Sequence, residues 1–323
     1  MDDNTHVSID GIQQAEKVVY QYMQPSQLLH YQNLSELFGV SVYVKHENQN
    51  MGGSFKIRGG INIMHQLKKE EVPGVITFST GNHGISVAKS AQLFGLEAII
   101  VVPKHNSPEK NQLIKDAGAT LVEAGEHFEE AAAYGQKLQK ENQYRFIHAA
   151  NEPHLIHGVG TEFTEILRQL PDIDVIILPI GGGSELAAAV TVFKALKPSV
   201  EIYAVQAEAS KAAYLSWEKG EITQAENKTF AGGFATGAGF DLTFDIYKDH
   251  LKDFILLSEE ELMEGIAYAF TYTHNVAEGA GGSTLIACRK IADRIKGKNV
   301  VLQMSGANES ANRYLMALNK YLR

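Results

Sequence analysis

The feature that most constrains this chain is an alternation. Short apolar runs rich in β-branched residues recur at 41–47, 74–80, 97–103, 120–123, 175–180, 201–206 and 299–305. In the run Val175-Ile176-Ile177-Leu178-Pro179-Ile180 no polar residue intervenes. A strand with one wet face alternates polar and apolar residues. A run that stays apolar suits a strand covered on both faces, as in a parallel sheet flanked by helices. The segments between the runs carry helix signals. Ser107-Pro108-Glu109 supplies an N-cap, a proline at the first helical position and an acidic first turn, and Gly118 ends that helix. Residues 84–95, 126–142 and 185–196 read as helices, and Ser258-Glu259-Glu260-Glu261 is a capping box opening a helix to about Thr273. The expected fold class is α/β, with mostly parallel sheets flanked by helices.

The alternation falls into two β/α blocks, about 70–150 and 150–323, and no linker, repeat or low-complexity tract separates them. An active site is expected between the blocks. The glycine-rich segment 207–244 is less regular and is expected to wrap the surface or border a site. A net charge of −9 over 323 residues argues against a general nucleic-acid binder, which needs a basic surface. Cys288 is the sole cysteine, so an internal disulfide framework and a cysteine zinc site are excluded, and its apolar helical setting reads as packing. The start, Met-Asp-Asp-Asn-Thr-His, lacks the basic residues and apolar run of a secretory signal. No segment has the apolar length of a membrane span, so the cytoplasm is the expected location.

Five segments carry chemistry. Lys56 sits in Gly52-Gly53-Ser54-Phe55-Lys56 after a predicted strand. A lysine held from bulk water beside Phe55 has a lowered pKa and an amine able to attack a carbonyl; the bland alternative is a surface lysine opening a helix. Ser79-Thr80-Gly81-Asn82-His83-Gly84 lies at a strand's C-terminal end and opens a helix. Its backbone N–H groups suit a small carboxylate and Asn82 suits a ring oxygen, or the segment is simply a tight turn. Gly181-Gly182-Gly183-Ser184 stands between an apolar strand and an Ala-rich helix, the order expected of a phosphate cradle. Position 186 is Leu, so the Gly-x-Gly-x-x-Gly spacing of a dinucleotide loop is not met, and a monophosphate is favoured. In Ser305-Gly306-Ala307-Asn308, Ser305 can face a ring nitrogen or cap a helix; in Glu278-Gly279-Ala280-Gly281, Glu278 can be an active-site acid or a cap. The histidines form no metal constellation; His154 and His157 lack acidic companions at ligand spacing.

Taken in order, Ser54-Phe55-Lys56, Gly81-Asn82-His83-Gly84, Gly181-Gly182-Gly183-Ser184, Glu278-Gly279-Ala280-Gly281 and Ser305-Gly306-Ala307-Asn308 resemble the motifs of fold-type II pyridoxal-phosphate enzymes. The resemblance is to the serine/threonine dehydratase and serine racemase family in particular, and runs from about residue 20 to the end. It implies a tryptophan synthase β-like fold of two domains, each with a mostly parallel sheet flanked by helices. The large, cofactor-binding domain would comprise 1–64 and 151–323, and the small one 65–150. It further implies pyridoxal 5'-phosphate as cofactor, with Lys56 as its Schiff-base lysine and Phe55 flanking the ring. Asn82 would bond the ring oxygen, Gly181, Gly182, Gly183 and Ser184 the phosphate, and Ser305 the ring nitrogen, with Glu278 also on the cofactor. The loop Ser79, Thr80, Gly81, Asn82 and His83 would take the substrate carboxylate, with Thr80 as a catalytic hydroxyl.

Three departures stand out. Asn50 and Gly52 replace the family's Gln and Thr before the lysine turn, and Gly232-Gly233 replaces Asp-Gly. Where racemase-like members bind a divalent cation, this chain has Gln206, Ser210 and Ala212, which lack the carboxylates a hard cation prefers; no metal is expected. With the chain ending at Arg323, feedback control through a C-terminal regulatory domain is not expected either.

The resemblance implies β-elimination from a small hydroxy amino acid such as L-threonine or L-serine, giving a 2-oxo acid and ammonia. A neutral Ser305 at the ring nitrogen disfavours full delocalisation into the ring, which steers towards loss of the β-substituent. The alternatives are a serine racemase-like racemase using Thr80 as second acid/base, a β-replacement synthase, and a ligand-binding protein that kept the scaffold; an intact Lys56 argues against the last. The loop 230–240 is expected to line the substrate pocket and holds no Arg or Lys, which favours an uncharged side chain. Relatives of this kind imply a homo-oligomer, a dimer or tetramer.

Overall fold

The computed structural model describes residues 6–322. The polar start, 1–5, lies outside them. The elements begin with α1 (Ile9–Val19), β1 (Leu28–His30), α2 (Gln32–Phe38), β2 (Ser41–His46), α3 (Lys56–Lys69), β3 (Gly74–Phe78) and α4 (Asn82–Phe94). They continue with β4 (Glu97–Val102), α5 (Pro108–Asp116), β5 (Thr120–Glu123), α6 (Phe128–Asn142), β6 (Arg145–Phe146), α7 (Pro153–Gln169), β7 (Val175–Pro179) and α8 (Ser184–Leu196). Then follow β8 (Glu201–Ala207), α9 (Ala212–Lys219), α10 (Asp241–Tyr247), β9 (Asp253–Leu257), α11 (Glu259–Thr273), α12 (Gly279–Ile291), β10 (Asn299–Met304) and α13 (Ala311–Tyr321). The helix signals act as expected. Ser107 accepts from the Lys110 N–H ahead of Pro108, and Ser258 and Glu261 form a reciprocal capping box.

The chain forms two compact units, Met1–Gln24 with Lys56–Thr161, and Pro25–Phe55 with Glu162–Arg323. In the first, the described strands form a parallel sheet of order β5-β4-β3-β6. Its core joins Val75, Ile100 and Val102 of the sheet to Ile63, Met64 and Leu67 of α3 and Ile85 of α4, all buried. Val18 and Val19 of α1 pack on Ile57 and Ile61 of α3. The division drawn from sequence cut the chain at 65 and 150. The contact-defined units cut it at 24/25, 55/56 and 161/162, because α1 and α3 pack with the first half of α7: a side chain at Gly158 would overlap the Arg58 carbonyl.

In the second unit the sheet order is β1-β2-β10-β7-β8-β9, with β1 antiparallel to β2 and the other pairs parallel. β7 lies between β10 and β8, and all five of its residues are buried, which accounts for its unbroken apolar run. Covering each such aliphatic side chain contributes about 1.5–3 kcal/mol. One charged group is also enclosed: Lys45 of β2 is fully buried, 2.6 Å from Glu165 and bonded to Gln169 and the Ser26 carbonyl. Those acceptors offset the desolvation that an isolated buried ammonium would suffer. Cys288 is buried in α12 with its thiol pushed up to about 12 by desolvation, as fits packing rather than nucleophilic chemistry.

Candidate active site

In the second unit, four of the five sequence segments converge through backbone contacts. The turn before Lys56 runs beside the exit of β10. Phe55 donates its N–H to the Ser305 carbonyl at 3.0 Å, Ala307 donates to the Gly53 carbonyl at 2.9 Å, and the Asn308 side chain donates to the Gly52 carbonyl at 2.8 Å. Phe55 and Ser305 are both buried. Ser305 is not a helix cap; α13 begins later, capped by Ser310. The Glu278 N–H donates to the Gly306 carbonyl at 3.0 Å, which ties the 278–281 segment to the 305–308 segment. Glu278 occupies the N-cap position of α12, yet its buried carboxylate does not cap that helix.

The glycine segment 181–183 follows β7. A Cβ at Gly181 would overlap the Gly233 carbonyl oxygen, and a Cβ at Gly233 would come within 2.7 Å of the Ala280 Cβ. Gly233, the second glycine of the Gly232-Gly233 pair, is thus the packing link between the 181–183 and 278–281 segments. Gly183 is the N-cap of α8 with φ +86°, a left-handed conformation that strains any other residue, and as a glycine it brings no capping side chain of its own. Ser184 is buried at the first helical position. Thr243 of α10, which the sequence reading did not single out, donates its hydroxyl to the Gly182 carbonyl at 2.9 Å.

A glycine turn pressed against backbone, leading into a helix whose N-cap is itself a glycine, has the donors and dipole that bind a phosphate monoester. These residues fit pyridoxal phosphate. The cation positions do not fit a metal. Gln206 Oε1 accepts from the Tyr214 N–H at 3.1 Å, Ser210 donates to the Phe234 carbonyl at 2.9 Å, and Ala212 has no ligating side chain. Among the described residues no group of three His, Cys, Asp or Glu is arranged to hold a metal ion.

In the first unit Lys56, the first residue of α3, lies close enough to His83 and His148 for its charge to act on both. Lys56 is half-buried, its Nζ lies 3.5 Å from the Ala149 carbonyl, and its own carbonyl accepts from Ser86 of α4 at 2.7 Å. The lysine therefore does open a helix, but not as a surface residue. The 79–84 loop is a tight turn in which Ser79 Oγ accepts the N–H groups of Gly81 and Gly84 at 3.4 and 3.1 Å. Thr80, Gly81 and Asn82 are half-buried, with Asn82 opening α4.

His83 is buried, with Nε2 3.3 Å from the Ile147 carbonyl. That contact places the ring hydrogen on Nε2; Nδ1 is buried without a partner among the described residues. Burial, aided by the positive charge of Lys56, pushes the His83 pKa down to about 3. His148 shares the second influence: desolvation and the charge of Lys56 lower its pKa too. Its Nδ1 accepts from the N–H groups of Ala150 and Asn151 at 3.0 and 2.8 Å. The sequence reading missed His148, which follows a two-residue strand, β6, too short to leave a periodic signal.

Residues 19–306 match the family model described as pyridoxal-phosphate dependent enzyme. The chain is 34% identical to an L-threonine ammonia-lyase of Thermotoga maritima over 98% of its own length and 79% of that relative's. It is 35% identical to an L-threonine ammonia-lyase of Geobacter sulfurreducens over 97% of its length and 80% of that relative's. Among solved structures, maize serine racemase superposes with a TM-score of 0.91 at 26% identity, covering 98% of both chains.

Proposed function

Because the chain belongs to the pyridoxal-phosphate-dependent enzyme family, we propose that it acts as an ammonia-lyase, converting L-threonine to 2-oxobutanoate and ammonia, with L-serine as a second substrate. The observation that carries this reading is the 34–35% identity, along nearly the whole chain, to two L-threonine ammonia-lyases. Bound pyridoxal phosphate supplies an electron sink for the bond broken at the substrate Cα. Gly181, Gly182, Gly183 and Ser184 would hold its phosphate at the α8 N-terminus, and Lys56 its aldehyde carbon. Phe55 and Glu278 would border the ring, Asn82 its hydroxyl oxygen and Ser305 its nitrogen.

In this reading the 79–83 loop orients the substrate by its carboxylate, and the freed Lys56 amine removes the Cα proton. Neutral His83 and His148 place no second cation beside that amine. Ser305, a hydroxyl, cannot stabilise a protonated ring nitrogen as a carboxylate would, and this favours expulsion of the β-hydroxyl. The likeness to maize serine racemase supports a second reading, racemisation with Thr80 as the opposing acid/base. A chiral assay on L-serine separates the two: pyruvate as main product supports elimination, and D-serine as main product overturns it. We also propose a homo-oligomer working in the cytoplasm; among the described residues no helix is long and apolar enough to cross a membrane.

A further inference from the structure

Away from all five segments, the second unit carries a cavity of about 430 Å³ on its α11–α13 side. The volume lies in the range of about 300–1,000 Å³ typical of small-molecule sites. Its wall combines apolar, cationic, anionic and neutral polar groups, the last being Ser310 and Asn312. Phe230, Met263 and Met316 are apolar, Arg313 is cationic, and Glu259 and Glu260 are anionic.

Two of the charged groups, Arg313 and Glu259, keep hydrogen-bonding capacity to spare. Arg313 stacks its guanidinium 4.4 Å from the Phe230 ring centroid, but its hydrogen bonds are long, 3.5 Å to the Phe230 carbonyl and 3.4 Å to Glu309. A guanidinium has five N–H donors in a fork that matches a carboxylate. Glu259 accepts the Phe230 N–H on Oε2 at 2.9 Å, while its Oε1 is buried with no partner among the described residues. A modest turn of that side chain towards a bound ammonium would relieve the orphaned oxygen. Glu260 is exposed, and its carboxylate pairs with Lys320.

We propose that this cavity binds a free α-amino acid with an apolar side chain. Arg313 takes the carboxylate, Glu259 and Glu260 take the ammonium, and Phe230, Met263 and Met316 enclose the side chain. A fatty acid leaves the two glutamates facing an anion, and a plain amine leaves Arg313 unused; only a zwitterion answers both charges.

The cavity also has a physical link to the glycine loop. Phe230, gripped at its N–H by Glu259 and at its carbonyl by Arg313, begins the stretch that reaches Gly233 three residues later. The Gly233 carbonyl occupies the space a Gly181 side chain would need. An occupant that re-aims Arg313 or Glu259 therefore pulls on the segment packed against the phosphate-binding loop. Such coupling is reciprocal, so cofactor retention reports on it.

The test is calorimetric titration of the cofactor-loaded protein with L-leucine, using 4-methylpentanoate and 3-methylbutylamine as probes lacking one charge each. Saturable binding of L-leucine, with at least tenfold weaker binding of both probes, is expected. Arg313→Met should lose the binding. Met316→Trp, at a position 63% exposed and so tolerant of change, should lose it by filling the cavity. Loss of visible absorbance on dialysis should change at least twofold with L-leucine in the wild type and be unaffected in Met316→Trp. Absence of L-leucine binding overturns the proposal. So does binding that survives in both variants, as it would if leucine merely entered the catalytic site. A change in oligomeric state in Met316→Trp, by sedimentation and without wild-type leucine binding, would mark the cavity as a subunit contact and overturn it too. None of these outcomes bears on which hydroxy amino acid is the substrate.

Discussion

The two units treat their candidate residues in opposite ways. In the second, four segments far apart in sequence are joined by main-chain hydrogen bonds and glycine contacts: Phe55 to Ser305, Ala307 to Gly53, Glu278 to Gly306, Gly181 to Gly233. In the first, the distinguishing feature is side-chain electrostatics: burial, and after it the charge of Lys56, depresses the proton affinity of His83 and His148. Backbone construction holds a constant shape and charge, as recognition of a phosphate and ring requires. Proton transfer needs groups whose charge changes, and those must be side chains. The difference supports the proposal that binding and chemistry rest on different kinds of structure, and substitutions should separate them.

The largest expected effect falls on the electrostatic side. Lys56→Ala should lower kcat by at least about 10³-fold, near the upper range for loss of a positioned proton-transfer group, and abolish the visible absorbance of the loaded protein. Full activity in that variant would break the comparison. On the backbone side, Gly181→Ala forces a methyl into the Gly233 carbonyl, an overpacking cost of about 1–3 kcal/mol. It should weaken cofactor affinity roughly 10- to 100-fold, measured by equilibrium dialysis, while restoring most of kcat at saturating cofactor. A collapse of kcat with cofactor bound would show that the loop does more than bind.

A pH effect sharpens the contrast. His83 has a folded pKa of about 3 against about 6.5 unfolded, so between those values the unfolded chain binds the extra proton. Stability then rises with pH across that window and is lost as pH falls through it, by up to several kcal/mol for a fully buried ring. His83→Gln should flatten this part of the denaturant-midpoint profile, and an unchanged slope would assign acid lability elsewhere. The smallest effect is expected at Ser305. Ser305→Ala removes a neutral hydroxyl worth about 1 kcal/mol, so kcat/KM should fall less than about tenfold. A loss approaching that of Lys56→Ala would mean the hydroxyl moves protons.

Much of this was legible in the sequence because strands buried on both faces write unbroken apolar runs and capped helices announce their first turns. β5 and the 258–273 helix lie where the pattern put them, and the other predicted strands end within two residues of expectation. β1 and β6, at three and two residues, are too short for any period, and β9 was passed over beside the irregular stretch before it. Glycine segments could be found but not paired, because pairing depends on contacts such as Gly233 with Gly181, between residues more than fifty positions apart. His148 stayed hidden for a related reason: its significance lies in its nearness to the charge of Lys56, not in any local motif.

The measurement that tests the central claim most directly is product analysis of the purified, cofactor-loaded protein with L-threonine. Ammonia and 2-oxobutanoate should appear in equal amounts at a rate proportional to protein, and Lys56→Ala should yield neither. Conversion of L-serine to D-serine with no 2-oxo acid from either substrate would contradict the account.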